Sequence, residues 1–380
     1  MANSTFSFPT LIHFGAGVRS QLPDFLAQNK VARPFIVTDR GIAPLPMFQE
    51  FSESLSNKTL QVATFSDIWG NPTKSQVIAG VKAFAAHGAD SIIGLGGGAA
   101  LDVAKAIALM VNHPGDLFDY EDGKPDALPI DQAIPFLVAL PTTSGTGSEV
   151  GRSAVISDDA THVKKIVFSP RLLAKAVYAD PELTLDLPAK ITAATGMDAL
   201  THCIEAFLAK GYHPICDGIA LEGLRLGAAS LEKSVKSPRD IEARSAMMMS
   251  SMMGAIAFQK GLGLTHSCAH ALSAVADMHH GLANAVMMPY ALPFNIQTVP
   301  ERFERMAMTI GLKDVSGNGF IQWLRDLNAA VGIPARLSDA GVKKEQLDRL
   351  VQIAVADVCH QNNPRAVTEE DFRRIFSAAL

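Results

Sequence analysis

Four of the chain's eleven histidines crowd into one short run, THSCAHALSAVADMHH, from Thr265 to His280. The rest of that run is mostly apolar and suits a buried helix, where imidazoles are costly unless they are paired or bind a cation. His266 and His270 stand four apart, as do Asp198 and His202 in GMDALTHCIEAF, so each pair leaves one helix face about a turn apart. One such pair has an ordinary explanation, a hydrogen-bonded core histidine or a helix cap. Two pairs on separate apolar helices point to a divalent ion, since neutral imidazole nitrogens and one ionised oxygen are ligands for zinc or ferrous iron. Asp198, His202 and the histidines of 265–280 would surround that ion and leave one coordination position open for substrate. Spacing does not settle which histidines ligate: His279 and His280 are adjacent and point to different sides, in what reads as a helix-ending turn before Gly281. Glu205, three residues past His202, is a candidate to support a ligand, set against the usual exposure of glutamate.

A second group of residues suits a phosphate. SIIGLG runs straight into GGAALDVAKAIALMV, a strand, a glycine turn and a helix in succession. Gly96, Gly97 and Gly98 permit a sharp turn and a close approach to the main chain. The amides and positive dipole end of the helix that follows suit a pyrophosphate. A glycine triplet alone is a weak signal, because tight turns use glycine for geometry. A second loop, PTTSGTGSEV from Pro141 to Val150, also follows an apolar strand and adds the hydroxyls of Thr142, Thr143, Ser144 and Thr146. Two such loops at the carboxyl ends of parallel strands predict a dinucleotide crevice. Asp39, ending the strand FIVTD, can accept from the adenosine ribose and repel a 2′-phosphate, which favours NAD over NADP; its competing role is to cap the next turn. Lys165, in HVKKIVF, is a candidate for a phosphate or ribose, against plain solvation.

These groups need a scaffold, and 380 residues with nearly half of them apolar can supply an extensive core. Up to about Leu187, the β-branched runs FIVTD, TLQVATF, SIIGLG, IPFLVALP and AVYAD alternate with helical patterns such as KSQVIAGVKAFAAHG. That pattern predicts a parallel sheet buried on both faces. After Leu187 the spacing becomes three and four throughout, as in ARSAMMMSSMMGAIAF, which predicts a helical second half. The methionines from Met247 to Met253 read as flexible core filling rather than as a pocket lining. No internal repeat or low-complexity linker separates the halves, so they are expected to pack with a cleft between them. A formal net charge of −5 without like-charge runs excludes nucleic acid or an anionic membrane as the main partner. MANSTFSFPTLIHFG lacks the marks of a signal peptide and no apolar run spans a bilayer, so the expected address is the cytoplasm. Cys203, Cys216, Cys268 and Cys359 lack a C-x-x-C spacing and read as reduced, mostly buried thiols.

Several long motifs in order resemble the iron-containing alcohol dehydrogenase family, also called group III, across essentially the whole chain. They are GGGAALDVAK (96–105), LPTTSGTGSEV (140–150), DPELTLDLP (180–188), TAATGMDALTHCIEAF (192–207) and GLGLTHSCAHALSAVADMHHGLANAVMMPY (261–290). The resemblance implies an α/β dinucleotide-binding domain over 1–187 and an all-α metal-binding catalytic domain over 188–380, a dehydroquinate synthase-like architecture with the active site in the cleft. It implies Asp198, His202, His266 and His280 as metal ligands and His270 as a neighbour that moves a proton without binding the metal; His279 has no assigned role. It also implies that Gly96, Gly97, Gly98, Thr142, Thr143, Thr146 and Lys165 line NAD, with Asn71 of the NPT turn nearby and Asp39 at the ribose. One departure is Ala99, where the family often has serine, so one hydroxyl contact to the phosphates is missing.

The expected activity is reversible hydride transfer between a small primary alcohol and NAD, with Fe2+ at the centre and Zn2+ as the alternative. Phe258 and Leu262 are expected pocket walls that suit a small apolar substrate. Alternatives are a hydroxy acid such as 4-hydroxybutyrate or a glycerol-type polyol. A cyclase would need a dense cationic set, which the apolar surroundings of the histidines do not offer. A non-catalytic binding protein is opposed by complete ligand and cofactor sets. A homo-oligomer is expected, a dimer favoured, with SFPTLIHFG as a segment that adds a strand across an interface.

Overall fold

The computed structural model describes residues 5–8, 10–56 and 60–380. Its strands are β1 (Leu11–Phe14), β2 (Pro34–Val37), β3 (Ala63–Phe65), β4 (Ser91–Gly96), β5 (Phe136–Pro141), β6 (Ser153–Ser157), β7 (Lys164–Phe168) and β8 (Ala176–Ala179). Six of them form one sheet in the order β1-β8-β5-β4-β2-β3, every neighbouring pair parallel. Parallel strands need crossovers, and helices α1 (Leu22–Gln28), α2 (Pro46–Ser56), α3 (Lys74–His87) and α4 (Gly98–Met110) provide them between the first strands. Every residue of β2, β4 and β8 is buried, as expected of strands covered on both faces.

Two details, at β3 and at the β6–β7 hairpin, differ from the sequence expectation. The strand expected over 59–65 forms only at Ala63–Phe65, because it lies at the edge and pairs with β2 alone; residue 59 lies outside the described residues. Leu11–Phe14, within the segment expected to add a strand across an interface, pairs with β8 and forms the edge of the sheet opposite β3. HVKKIVF belongs to an antiparallel hairpin of β6 and β7 that its half-polar pattern did not announce.

The remaining helices are α5 (Ala189–Leu208), α6 (Pro214–Lys236), α7 (Ile241–Ala257), α8 (Leu264–Ala276), α9 (His280–Ala291), α10 (Pro300–Thr309), α11 (Gly317–Ala330), α12 (Leu347–Ala356) and α13 (Glu369–Ala379). α5 is buried without interruption from Thr192 to Leu208, so it is the central helix of this group. Met197, Leu200, Phe207, Leu224, Cys268, Leu272 and Met288 join one apolar core around it. Met247, Met248 and Met252 are buried on α7. Among the described residues no helix is long and apolar enough to cross a membrane.

Two compact units result. One comprises 9–143 and 148–184; the other comprises 1–8, 144–147 and 185–380. The tip of the PTTSGTG loop therefore belongs to the helical unit, where a Cβ on Gly145 would sit 2.8 Å from the Thr195 carbonyl oxygen.

Candidate metal centre and dinucleotide turns

α5 carries Asp198 and His202, α8 carries His266 and His270, and His280 is the first residue of α9. The run 265–280 is not one helix: Asp277 enters the left-handed region at φ 49° and ends α8, and His279 caps α9. The expected helix-ending turn at 279–281 is thus a helix start. It leaves His279 exposed and turns His280 inward. Gly281 is required there, because a Cβ at this position would lie 2.3 Å from the Ala194 carbonyl oxygen on α5.

Ligand atoms of Asp198, His202, His266 and His280 all lie within 4.8 Å of one another. Asp198 Oδ1 is 3.5 Å from His280 Nε2 and 4.0 Å from Nε2 of both His202 and His266. Asp198, His202 and His266 are at most 4% exposed. His202 Nδ1 donates to the Gly145 carbonyl at 3.2 Å, and His266 Nδ1 lies 2.7 Å from Glu205 Oε2. Both rings therefore commit Nδ1 elsewhere and turn an Nε2 lone pair toward a buried carboxylate. Burial pushes the His202 pKa down to about 4, so the ring is neutral and suited to ligation. A buried carboxylate and three imidazole nitrogens converging on one point are a donor set that fits one divalent ion.

Glu205 is 2% exposed and supports His266 rather than its sequence neighbour His202. It also accepts the backbone N–H groups of Gly263, at 2.9 Å, and Thr265, at 2.6 Å, at the start of α8. Burial works to raise its pKa, and the contacts with His266 and Thr265 more than reverse that. Burial likewise works to lower His266, which the Glu205 carboxylate overcomes.

Two contributors escaped the sequence reading. Asn284, fully buried on α9, donates through Nδ2 to Asp198 Oδ1 at 2.7 Å. Asp357, just past α12, places Oδ2 2.7 Å from His270 Nδ1. The signal for Asp357 was the polar run DVCHQNNPR following an apolar helix; for Asn284, a lone amide within GLANAVMMPY. The His270 ring stacks on that of His280, with centroids 5.3 Å apart and planes 21° apart. Phe258 lies 5.0 Å from His202, ring to ring.

In the α/β unit, β4 lies between β5 and β2, which brings the carboxyl ends carrying Gly96, Thr142 and Asp39 side by side. Thr142 N–H donates to the Gly96 carbonyl at 3.0 Å, and a Cβ on Gly97 would be 3.3 Å from Thr143 Cγ2. Gly96 has φ 155°, and a Cβ there would be 2.6 Å from that of Ala100, so the turn into α4 demands glycine. Gly98 opens α4. Asp39 does cap its turn: Oδ1 accepts from the N–H groups of Gly41 and Ile42 at 2.8 and 3.0 Å. Its Oδ2 would lie 3.5 Å from a Cβ on Gly96. Asn71 precedes Pro72, whose carbonyl accepts from Ser157 N–H at 2.7 Å. Thr146 falls in the helical unit. The Lys165 ammonium binds Glu121 Oε2 at 2.8 Å and lies 4.8 Å from the Phe118 ring centroid, so a phosphate would compete with Glu121 for it.

The model of the iron-containing alcohol dehydrogenase family matches residues 9–181, and that of the C-terminal region of the Fe-containing alcohol dehydrogenase family matches 192–380. The chain is 39% identical to 4-hydroxybutyrate dehydrogenase of Cupriavidus necator, with 98% of each chain covered. It is 36% identical to NAD-dependent methanol dehydrogenase of Bacillus methanolicus, covering 99% of this chain and 100% of that one. A crystal structure of 1,3-propanediol oxidoreductase superposes with a TM-score of 0.94 at 32% identity, covering 99% of this chain and all of the other. With a parallel-sheet unit, a helical unit and family models spanning both, this chain belongs to the iron-containing alcohol dehydrogenase family and is a dehydrogenase.

Proposed function

We propose that this chain is a metal-dependent, NAD-linked alcohol dehydrogenase that moves hydride reversibly between a small primary alcohol and its aldehyde. The observation that carries the reading is the convergence of Asp198 with Nε2 of His202, His266 and His280, two of those rings already holding Nδ1 in other bonds. Asp198, His202, His266 and His280 would hold the ion, Fe2+ in preference and Zn2+ as the alternative. When bound, the cation would supply Lewis acidity at the alcohol oxygen and NAD would supply the hydride acceptor.

The chain's own residues do the rest. Glu205 and Gly145 orient two ligand rings. Asn284 holds the Asp198 carboxylate. His270, outside the ligand set, accepts the proton released from the alcohol and returns it in the reverse direction. Residues 1–187 are the dinucleotide-binding part, with Gly96, Gly97, Gly98, Thr142, Thr143, Thr146, Asn71 and Lys165 at the cofactor. Asp39 offers its second oxygen to the ribose and favours NAD, a preference supported by the 36% identity to an NAD-dependent methanol dehydrogenase. Residues 188–380 are the catalytic part.

A hydroxy acid is the second reading, favoured by the 39% identity to a 4-hydroxybutyrate dehydrogenase. Against it, the Lys260 ammonium, two residues past Phe258 in sequence, is already tied to Asp217 at 2.5 Å and to the Phe207 carbonyl. The reading includes a cytoplasmic homodimer, checked by light scattering. The deciding experiment loads the protein with iron or zinc, measures metal per chain, and follows NADH absorbance with simple alcohols, diols and 4-hydroxybutyrate. No turnover in either direction with any of them would end the proposal. His270→Ala should lower turnover and keep the metal; loss of metal would mean that a ligand is misassigned.

A further inference from the structure

The turn DVCHQNNPR, 357–365, has no part in the chemistry assigned above, yet its first residue reaches into α8. Asp357 Oδ1 accepts from Ser267 Oγ at 2.7 Å and from the Cys359 N–H at 2.8 Å, and Oδ2 is 2.7 Å from His270 Nδ1. The Ser267 hydroxyl in turn accepts from the His360 N–H at 2.9 Å, which leaves its one proton for Asp357. The carboxylate is thus held from three directions, with its side chain 16% exposed. An ionised carboxylate only accepts, so the hydrogen in the bond to His270 resides on Nδ1, and in the neutral ring it is then Nε2 that carries the lone pair. Burial works to raise the Asp357 pKa, and His270, Ser267 and the Cys359 amide hold it well below the carboxylate range instead.

His270, Asp357 and Cys359 also have ligand atoms within 4.8 Å of one another, so a second metal site is the competing interpretation. The 2.7 Å between Nδ1 and Oδ2 is a hydrogen-bond length. Two ligands of one tetrahedral zinc ion would stand about 3.3 Å apart. Burial also raises the Cys359 thiol pKa, which disfavours the thiolate that a metal needs.

We propose that Asp357 is a positioning residue that locks His270 in the Nδ1–H tautomer, stacked on His280, so that Nε2 is the atom that exchanges the substrate's proton. This rests on the relay role given to His270 above. Asp357→Asn keeps an oxygen for Ser267 and Cys359 but turns an NH2 toward His270, which forces Nδ1 to accept and moves the ring hydrogen to Nε2.

The test uses full-length, zinc-loaded protein labelled with 15N at histidine, the His270 signals being those lost in His270→Ala. The parent should show Nδ1–H at His270 and Asp357→Asn should show Nε2–H. With zinc content unchanged, kcat should fall roughly 10–100-fold while KM for the alcohol moves less than about 3-fold. In the His270→Ala background, Asp357→Asn should cost nothing further, because the two residues act as one unit. An Nε2–H ring in the parent, a multiplied loss in the double variant, or lost zinc in Asp357→Asn would each overturn the proposal. The parent spectrum decides the tautomer even where the variant does not fold. It also decides it where no alcohol is turned over, an outcome that removes the relay reading and leaves the hydrogen-bond assignment standing.

Discussion

Replacing Glu205 with glutamine removes one acceptor oxygen and one charge from a site 2% exposed. Oε1 accepts the Thr265 N–H at 2.6 Å, while Oε2 takes the Gly263 N–H at 2.9 Å and faces His266 Nδ1 at 2.7 Å. If the new NH2 stands where Oε1 was, the Thr265 amide loses its acceptor inside the core, at about 1–3 kcal/mol. The two short bonds that remain at Oε2 change from charge-assisted to neutral, at about 1 kcal/mol each, while the third, from the His266 N–H, is long at 3.3 Å and adds little. The sum, about 3–5 kcal/mol, is a large share of a typical domain's stability. For a helical unit of this size it lowers the melting temperature by roughly 6–20 °C. The flipped amide offers no escape, since its NH2 then confronts Gly263 and His266. His266 would have to take its hydrogen on Nε2, the nitrogen 4.0 Å from Asp198. Metal affinity should then fall roughly 10–100-fold. The assay is a thermal melt of parent and Glu205→Gln with and without Zn2+, together with a zinc titration, because a ligand that binds only the folded state raises the melting temperature in proportion to its affinity. A variant that melts within about 2 °C of the parent and gains as much from zinc would refute the reasoning.

Three further outcomes are expected. Burial pushes the Glu149 pKa up to about 7 from 4.5, with its own backbone and Lys105 only partly opposing. The folded pKa exceeds the unfolded one, so the contribution to stability is full below pH 4.5 and is lost as pH rises through about 7. Glu149→Gln should match the parent in urea melts at low pH and exceed it by up to about 3 kcal/mol above neutrality; parallel curves would contradict this. Gly281→Ala must push α9 away from the Ala194 carbonyl, now 2.3 Å from where the Cβ would stand. It should cost about 1–3 kcal/mol and lower zinc bound per chain at fixed total zinc. Asp39→Gly should raise kcat/KM with NADP at least about 10-fold relative to NAD, since removing a carboxylate beside a 2′-phosphate removes a like-charge repulsion; an unchanged ratio would place the discrimination elsewhere.

Local spacing carried a good deal of this protein. Strand runs with β-branched residues, the glycine turn at 96–98 and the change to helical periodicity after Leu187 are short-range patterns, and the parallel sheet and the helical unit follow from them. The same is true of Asp198 and His202, which must share a face wherever α5 lies. Spacing stopped at contacts between distant segments. Glu205 is three residues from His202 in the chain, yet packing gives it to His266, 61 residues away. Asp357 meets His270 across 87 residues, and Asn284 meets Asp198 across 86. Spacing alone left His279 and His280 equivalent, and the left-handed Asp277 sets where α9 begins and which ring turns inward. Side-chain direction along one helix is a property of its 3.6-residue turn, which any short stretch reveals. Which buried donors end up facing which acceptors depends on how whole helices pack, and only the folded chain decides that.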